Sequence, residues 1–189
     1  MPAYRLVISA IAYLLGFSYS ILLGAVVTKR VLARFYSGYE SGRTTENWRS
    51  GVVGVAERAL YTTSWLLAVP QFIAIWLALK VAGQWDRWKS DWASKARQVD
   101  QKAARDTARA MYAGYLLGNA LSIAFAVAGA LLVQELLRLR WLSALAIAVV
   151  LPLAVALLYL YIRAQTTSTQ PPPPAPAPKP ALRRKKRTA

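Results

Sequence analysis

The sequence predicts an all-α integral membrane protein, a four-helix bundle with a cytoplasmic amphipathic helical segment and a disordered basic tail. Three observations carry this expectation. The 189 residues are 56% hydrophobic yet bear a net charge of +16, from 24 basic and 8 acidic side chains. Apolar and charged residues are segregated along the chain, which is how a membrane protein accommodates both. Four runs are free of charge, at 6–28, 59–79, 110–134 and 141–162. Each has about 20 residues or more, enough for a helix of ~30 Å, one hydrocarbon thickness. The spans occupy residues 1–163 and the tail 164–189, leaving no room for a soluble domain.

The first span, 6–28, is longer than the ~7–15 apolar residues of a secretory signal and lacks a small-residue cleavage site at its end. It is therefore expected to be retained. Along it Ala12, Gly16, Ser20 and Gly24 recur every four residues, a row that lets helix backbones approach closely. The connector 29–58 is rich in Gly, Ser and Thr and reads as a tether, with a helix restarting near Asn47.

The second span is framed by Glu57 and Arg58 at its start and Lys80 at its end. Acid first and base last complements a helix dipole, so these charges read as a frame and not as a site. Taken as one helix, the segment would hold Glu57 and Lys80 about 35 Å apart, unable to act together. Pro70 cannot donate to the carbonyl of Leu66 and should bend this helix near its middle. Ionisable residues inside a membrane are functional candidates by default, but the four runs contain none, which argues against proton- or cation-coupled transport. What remains is neutral: Thr62, Thr63, Ser64 and Gln71 on the second span and Asn119 and Ser122 on the third. Gln71 lies nine residues inward from Lys80 and Asn119 nine inward from Ala110. In antiparallel helices the two would sit at one depth and bond each other, stabilising the pair by about 0.6–2 kcal/mol.

Between the second and third spans, residues 84–109 place Trp85, Trp88 and Trp92 on one apolar stripe opposite a charged face. This reads as an in-plane helix anchored by its tryptophans, the alternative being a continuation of the second span that packs on a partner. The third span carries a GxxxG at Gly114 and Gly118, extended by Ser122, Ala126 and Ala130. After the fourth span, Pro171–Pro180 would extend ~31 Å as polyproline II. It presents Arg183, Arg184, Lys185, Lys186 and Arg187 to anionic lipid headgroups, at ~1 kcal/mol per charge near the surface. No aromatic residue is interleaved there to stack on bases, so nucleic acid is not the expected partner.

Four spans place both termini and the middle loop on one side. That side holds Arg5, eight basic residues from Lys80 to Arg109 and seven from Arg163 to Arg187, sixteen against eight on the other. The bias predicts cytoplasmic termini, opposed only by Lys29, Arg30 and Arg34 beside the first span. Cysteine and histidine are absent, which removes thiol catalysis, disulfides, His-based triads and the usual zinc and haem ligands. No cofactor and no enzymatic activity is expected.

The stretch "VGVAER" from Val53, then Lys80, then "YLLGNALS" at Tyr115–Ser122 resembles a pattern in uncharacterised bacterial multi-span membrane proteins. Those carry a Glu-Arg pair, a lysine about one span later and a Tyr…Gly-Thr-Leu-Leu-Ser-like turn into the next helix. Here Asn119 stands in the place of Thr and the Tyr–Gly spacing is shorter. The resemblance implies a bacterial cytoplasmic membrane and a recurrent two-helix unit, with no activity attached. The expected function is a membrane scaffold or accessory subunit, assembling through its small-residue faces with copies of itself or another membrane protein. The alternative is a small oligomeric channel or transporter with a neutral polar pore.

Overall fold

The computed structural model describes the backbone of residues 3–37, 48–95 and 101–168, with side chains over 4–37, 51–83 and 109–165. Those residues are helical throughout, joined by two tight turns. In chain order the helices are α1 (Ala3–Ser18), a π-helical segment (Tyr19–Leu23), α2 (Gly24–Tyr36), α3 (Trp48–Leu66), α4 (Gln71–Lys95), α5 (Gln101–Leu137) and α6 (Trp141–Ser168). Three stretches are long and apolar enough to cross a membrane: Tyr4–Tyr36, Arg109–Leu137 and Trp141–Gln165.

The segment 59–79 does not form the single helix its hydropathy predicts. It folds in half. α3 stops at Leu66, and the chain reverses through Ala68, whose φ of 57° is left-handed. Val69 N–H donates to Ser64 O at 2.9 Å and Ala68 N–H to Trp65 O at 3.1 Å, the paired bonds of a Schellman cap. Pro70 therefore does not kink a helix interior. It directly precedes α4, where its missing N–H costs no intrahelical bond. The turn between α5 and α6 repeats the device, with Leu139 left-handed and Arg140 N–H bonded to Glu135 O at 2.9 Å.

α5 is the central helix and touches α1, the π segment, α2, α3, α4 and α6. The row Ala12, Gly16, Ser20, Gly24 is buried against it and continues through Thr28. A Cβ on Gly16 would collide with the Val133 side chain and lie 2.6 Å from Gly129 O, so only glycine allows the crossing. Gly114 and Gly118 serve the same end, since a Cβ there would strike Tyr36 and approach Leu32 to 3.2 Å. These rows are consumed inside the chain. A four-residue step overshoots a 3.6-residue turn by ~40°, so a row that long should drift off its face. The wider π turn at Tyr19–Leu23 locally unwinds the helix and keeps Ser20, Gly24 and Thr28 in line with Ala12.

The hairpin changes the parity of the chain. Ala12 packs with Leu136 and Ala144 at one end, while Tyr36 reaches Met111 O and Arg34 reaches Arg163 O at the other. Ala3 and Ser168 thus lie at opposite ends of the bundle, where four spans would place them together. Residues 84–95 continue α4 and 101–109 open α5, so the predicted loop helix is shared between two helices. The side chains of Trp85, Trp88 and Trp92, residues 96–100, and the tail bearing Arg183, Arg184, Lys185, Lys186 and Arg187 lie outside the described residues.

The turn makes a sign-reversed prediction. In a continuous helix Ala68→Gly would cost about 1 kcal/mol. At a left-handed cap the same change relieves the Cβ clash and should stabilise by about 1 kcal/mol in a detergent unfolding titration. A loss of stability would put residue 68 inside a helix.

Candidate functional site: a buried ionic network

Folding the segment in half at 67–70 sets Glu57 opposite Lys80, because the turn lies at their midpoint. Within α3, Glu57 and Tyr61 share one face and Arg58 and Thr62 the next. Trp76 and Lys80 share a face of α4. Tyr115, Asn119, Ser122 and Ala126 line one side of α5, each pair three or four residues apart. These faces meet.

Glu57 is 3% exposed and its carboxylate is held from two directions. Lys80 Nζ lies 2.7 Å from Oε1 and donates to Oε2 at 2.8 Å, while Trp76 Nε1 donates to Oε1 at 3.2 Å. Lys80 Nζ also donates to Asn119 Oδ1 at 2.8 Å and stands 5.5 Å from the centre of the Tyr115 ring. Asn119 Nδ2 donates to the carbonyl of Tyr115 at 2.9 Å, which fixes its amide orientation. The lysine side chain remains 24% exposed, so the pair is closed on the α3 side and less so on the α4 side.

Beside this pair, Arg58 is 4% exposed and donates from Nη1 to Ser122 Oγ at 3.2 Å. One turn further, Thr62 donates to Ala126 O at 3.2 Å, and its oxygen lies 2.8 Å from Ser20 Oγ on the π segment. That hydroxyl ladder ties α3 to both α5 and the first long helix. Thr63 and Ser64, on the exposed side, return their hydroxyls to Ala59 O and Leu60 O at 2.8 Å, so neither is left unbonded.

The expectation that Glu57 and Lys80 stand far apart is overturned, because it assumed a straight helix. The expected Gln71–Asn119 bond is not formed either. Gln71 begins α4 at the apex of the hairpin and is exposed, whereas Asn119 lies level with Lys80 and is engaged by it. Pro70 is exposed at the same apex. Gln71, Asn119 and Ser122 therefore do not line one path within a single chain. Two hollows of about 670 and 560 Å³ open on the outside of the bundle. One runs along α1, α5 and α6 from Leu15 to Ala148 and the other along α4 from Ala74 to Ala82, and no residue of the ionic network lines either. Among the described residues no group of His, Cys, Asp and Glu is placed to hold a metal.

The residues that carry the sequence resemblance, Glu57, Arg58, Lys80, Tyr115, Asn119 and Ser122, converge in this one network although three helices supply them. Comparison of the chain with protein-family models, curated proteins and solved structures returned no match.

Removing one member of a buried pair strands the other charge, at about 3–5 kcal/mol, while removing both leaves none stranded. Lys80→Met should destabilise the purified protein by about 3 kcal/mol, and Glu57→Gln/Lys80→Met by clearly less. Additive losses in that double-mutant cycle would show that the two side chains act separately.

Proposed function

We propose that this chain is a non-catalytic membrane scaffold or accessory subunit, in which three crossings carry a helical hairpin locked by an internal ion pair. One observation supports this reading above the others: the Glu57 carboxylate is fully engaged, by Lys80 and Trp76, and Lys80 is in turn engaged by Asn119. A carboxylate that relays protons or captures cations needs a vacant position and a route from water. Here the groups that would offer them are spent on holding α3, α4 and α5 in register.

The charge distribution supports an orientation for this architecture. Along the chain, nineteen basic residues, from Lys29 to Arg49, Arg87 to Arg109 and Arg163 to Arg187, fall in or beyond the segments where α2, α4 and α6 stop and α3 and α5 start. The opposite end has Arg5, Arg138 and Arg140, and two more, Arg58 and Lys80, are inside. By the positive-inside rule the richer end faces the cytoplasm, which puts the N-terminus outside and the C-terminus inside. Lys29, Arg30 and Arg34 no longer oppose the rule, and the bias exceeds the sixteen to eight of the four-span reading. The basic end is the surface offered to anionic lipid headgroups or an acidic partner in a bacterial cytoplasmic membrane.

The absence of native cysteine makes the orientation directly measurable. On intact cells, a membrane-impermeant maleimide should label Leu139→Cys and leave Ser37→Cys unmodified, whereas four spans would expose both. For the function, proteoliposomes holding the protein alone should pass no more proton or cation current than empty vesicles. Mild-detergent purification should yield a defined oligomer or partner complex. A current abolished by Glu57→Gln would overturn the scaffold reading in favour of transport.

A further inference from the structure

We propose that Arg58 and Ser122 form a phosphate-binding site where α2, α3 and α5 meet. The first argument is charge balance. Glu57 is matched by Lys80, and among the described residues no carboxylate lies within ion-pair distance of Arg58, so the buried network carries one surplus positive charge. An unbalanced guanidinium inside an apolar bundle is strongly disfavoured unless an anion joins it.

The second argument is unspent donor capacity. Of five N–H donors, one reaches Ser122 Oγ, and Nε is buried with no partner. Thr28, one turn beyond Gly24 on the buried face of α2, also holds a buried hydroxyl with no partner. The Ser122 hydroxyl and a planar fork of N–H groups are a donor set that a tetrahedral oxyanion takes up, and Thr28 adds an unspent hydroxyl on the neighbouring helix.

The third argument is space. A Cβ on Gly24 would lie 3.0 Å from Arg58 Cδ, so the arginine stem is clasped by helix backbone. The tip is not. It lies beneath half-buried Gly54, where an added Cβ would meet Nη2 at 3.6 Å and Nη1 at 3.7 Å and nothing closer. Gly54 stands one turn toward the start of α3, so the guanidinium is aimed at the end of the bundle where the basic residues gather. A phosphate arriving from that side, on a lipid headgroup or free, would approach the fork past a residue that has no side chain to cover it.

The site does not depend on the scaffold reading, and its test is a binding measurement. The full chain in a phosphate-free maltoside detergent is titrated with phosphatidylglycerol in one arm and inorganic phosphate in the other. Thermal unfolding and native mass spectrometry follow the binding. Wild type and a variant with Arg183, Arg184, Lys185, Lys186 and Arg187 changed to Ala should be stabilised alike, which separates this site from the tail. Arg58→Lys, which keeps the charge but loses the fork, should weaken binding by about tenfold or more. Gly54→Val, which leaves Arg58 in place and covers its tip, should do the same and stands in if the arginine variant fails to fold. A response to the lipid alone assigns the phosphate to a headgroup, and a response to inorganic phosphate shows that the oxyanion suffices. If neither ligand stabilises the wild type, or affinities stay within about twofold in both variants, the site does not exist.

Discussion

A carboxylate enclosed by apolar helices must recover from protein groups the solvation it has lost, and that demand on Glu57 organises the rest of the molecule. Lys80 answers it, but only if α4 runs back alongside α3. Asn119 then takes up the lysine's remaining donor, which fixes both arms against α5 at one height. Such a pair adds little net stability over an apolar substitute, because desolvation offsets most of the attraction. What it supplies is register. Any sliding of α4 along α3 by a turn would leave a bare charge in the core.

Close approach of the surrounding helices makes that register attainable. Glycines at 16 and 129 bring the first long helix and α5 nearly into backbone contact, and Gly24 lets α2 close over the stem of Arg58. With the backbones so near, short side chains can bridge them. Ser20, Thr62 and the carbonyl of Ala126 form a chain of hydroxyl bonds that longer side chains would have displaced. The π segment serves this arrangement by presenting Ser20 on the buried face. Around it Phe125, Val31, Leu121 and Val155 fill the core, while α6 leaves most of its leucines turned outward.

The three long apolar helices, the buried small-residue rows and the all-helical class were legible in the residues, because each depends on composition or fixed spacing. The hairpin was not. Hydropathy registers that 59–79 is apolar but carries no sign for direction, and the usual marker of a helix stop, glycine, is replaced by Ala68 and by Leu139 at the next turn. Pro70 was visible, yet a proline can kink a helix or open one, and only the Schellman bonds preceding it decide between the two. One misread turn then carried two errors with it: the separation of Glu57 and Lys80 and the supposed Gln71–Asn119 pair. The elements of the site were nonetheless present in the sequence as three separate stretches, at 57–58, 80 and 115–122. Their grouping was hidden because it is a property of the fold and not of spacing.

The central place of α5 has a consequence for how the chain is made. α5 is the partner on which α1, α2, α3 and α4 all pack, yet it follows all four of them in the chain. While the first half of the protein is being synthesised, Glu57 and Lys80 have each other but not Asn119, and Arg58 lacks Ser122. Until α5 is made, those groups have only each other and water as partners. The segment with the most demanding chemistry therefore comes early in the chain but owes its final seat to a helix that comes later.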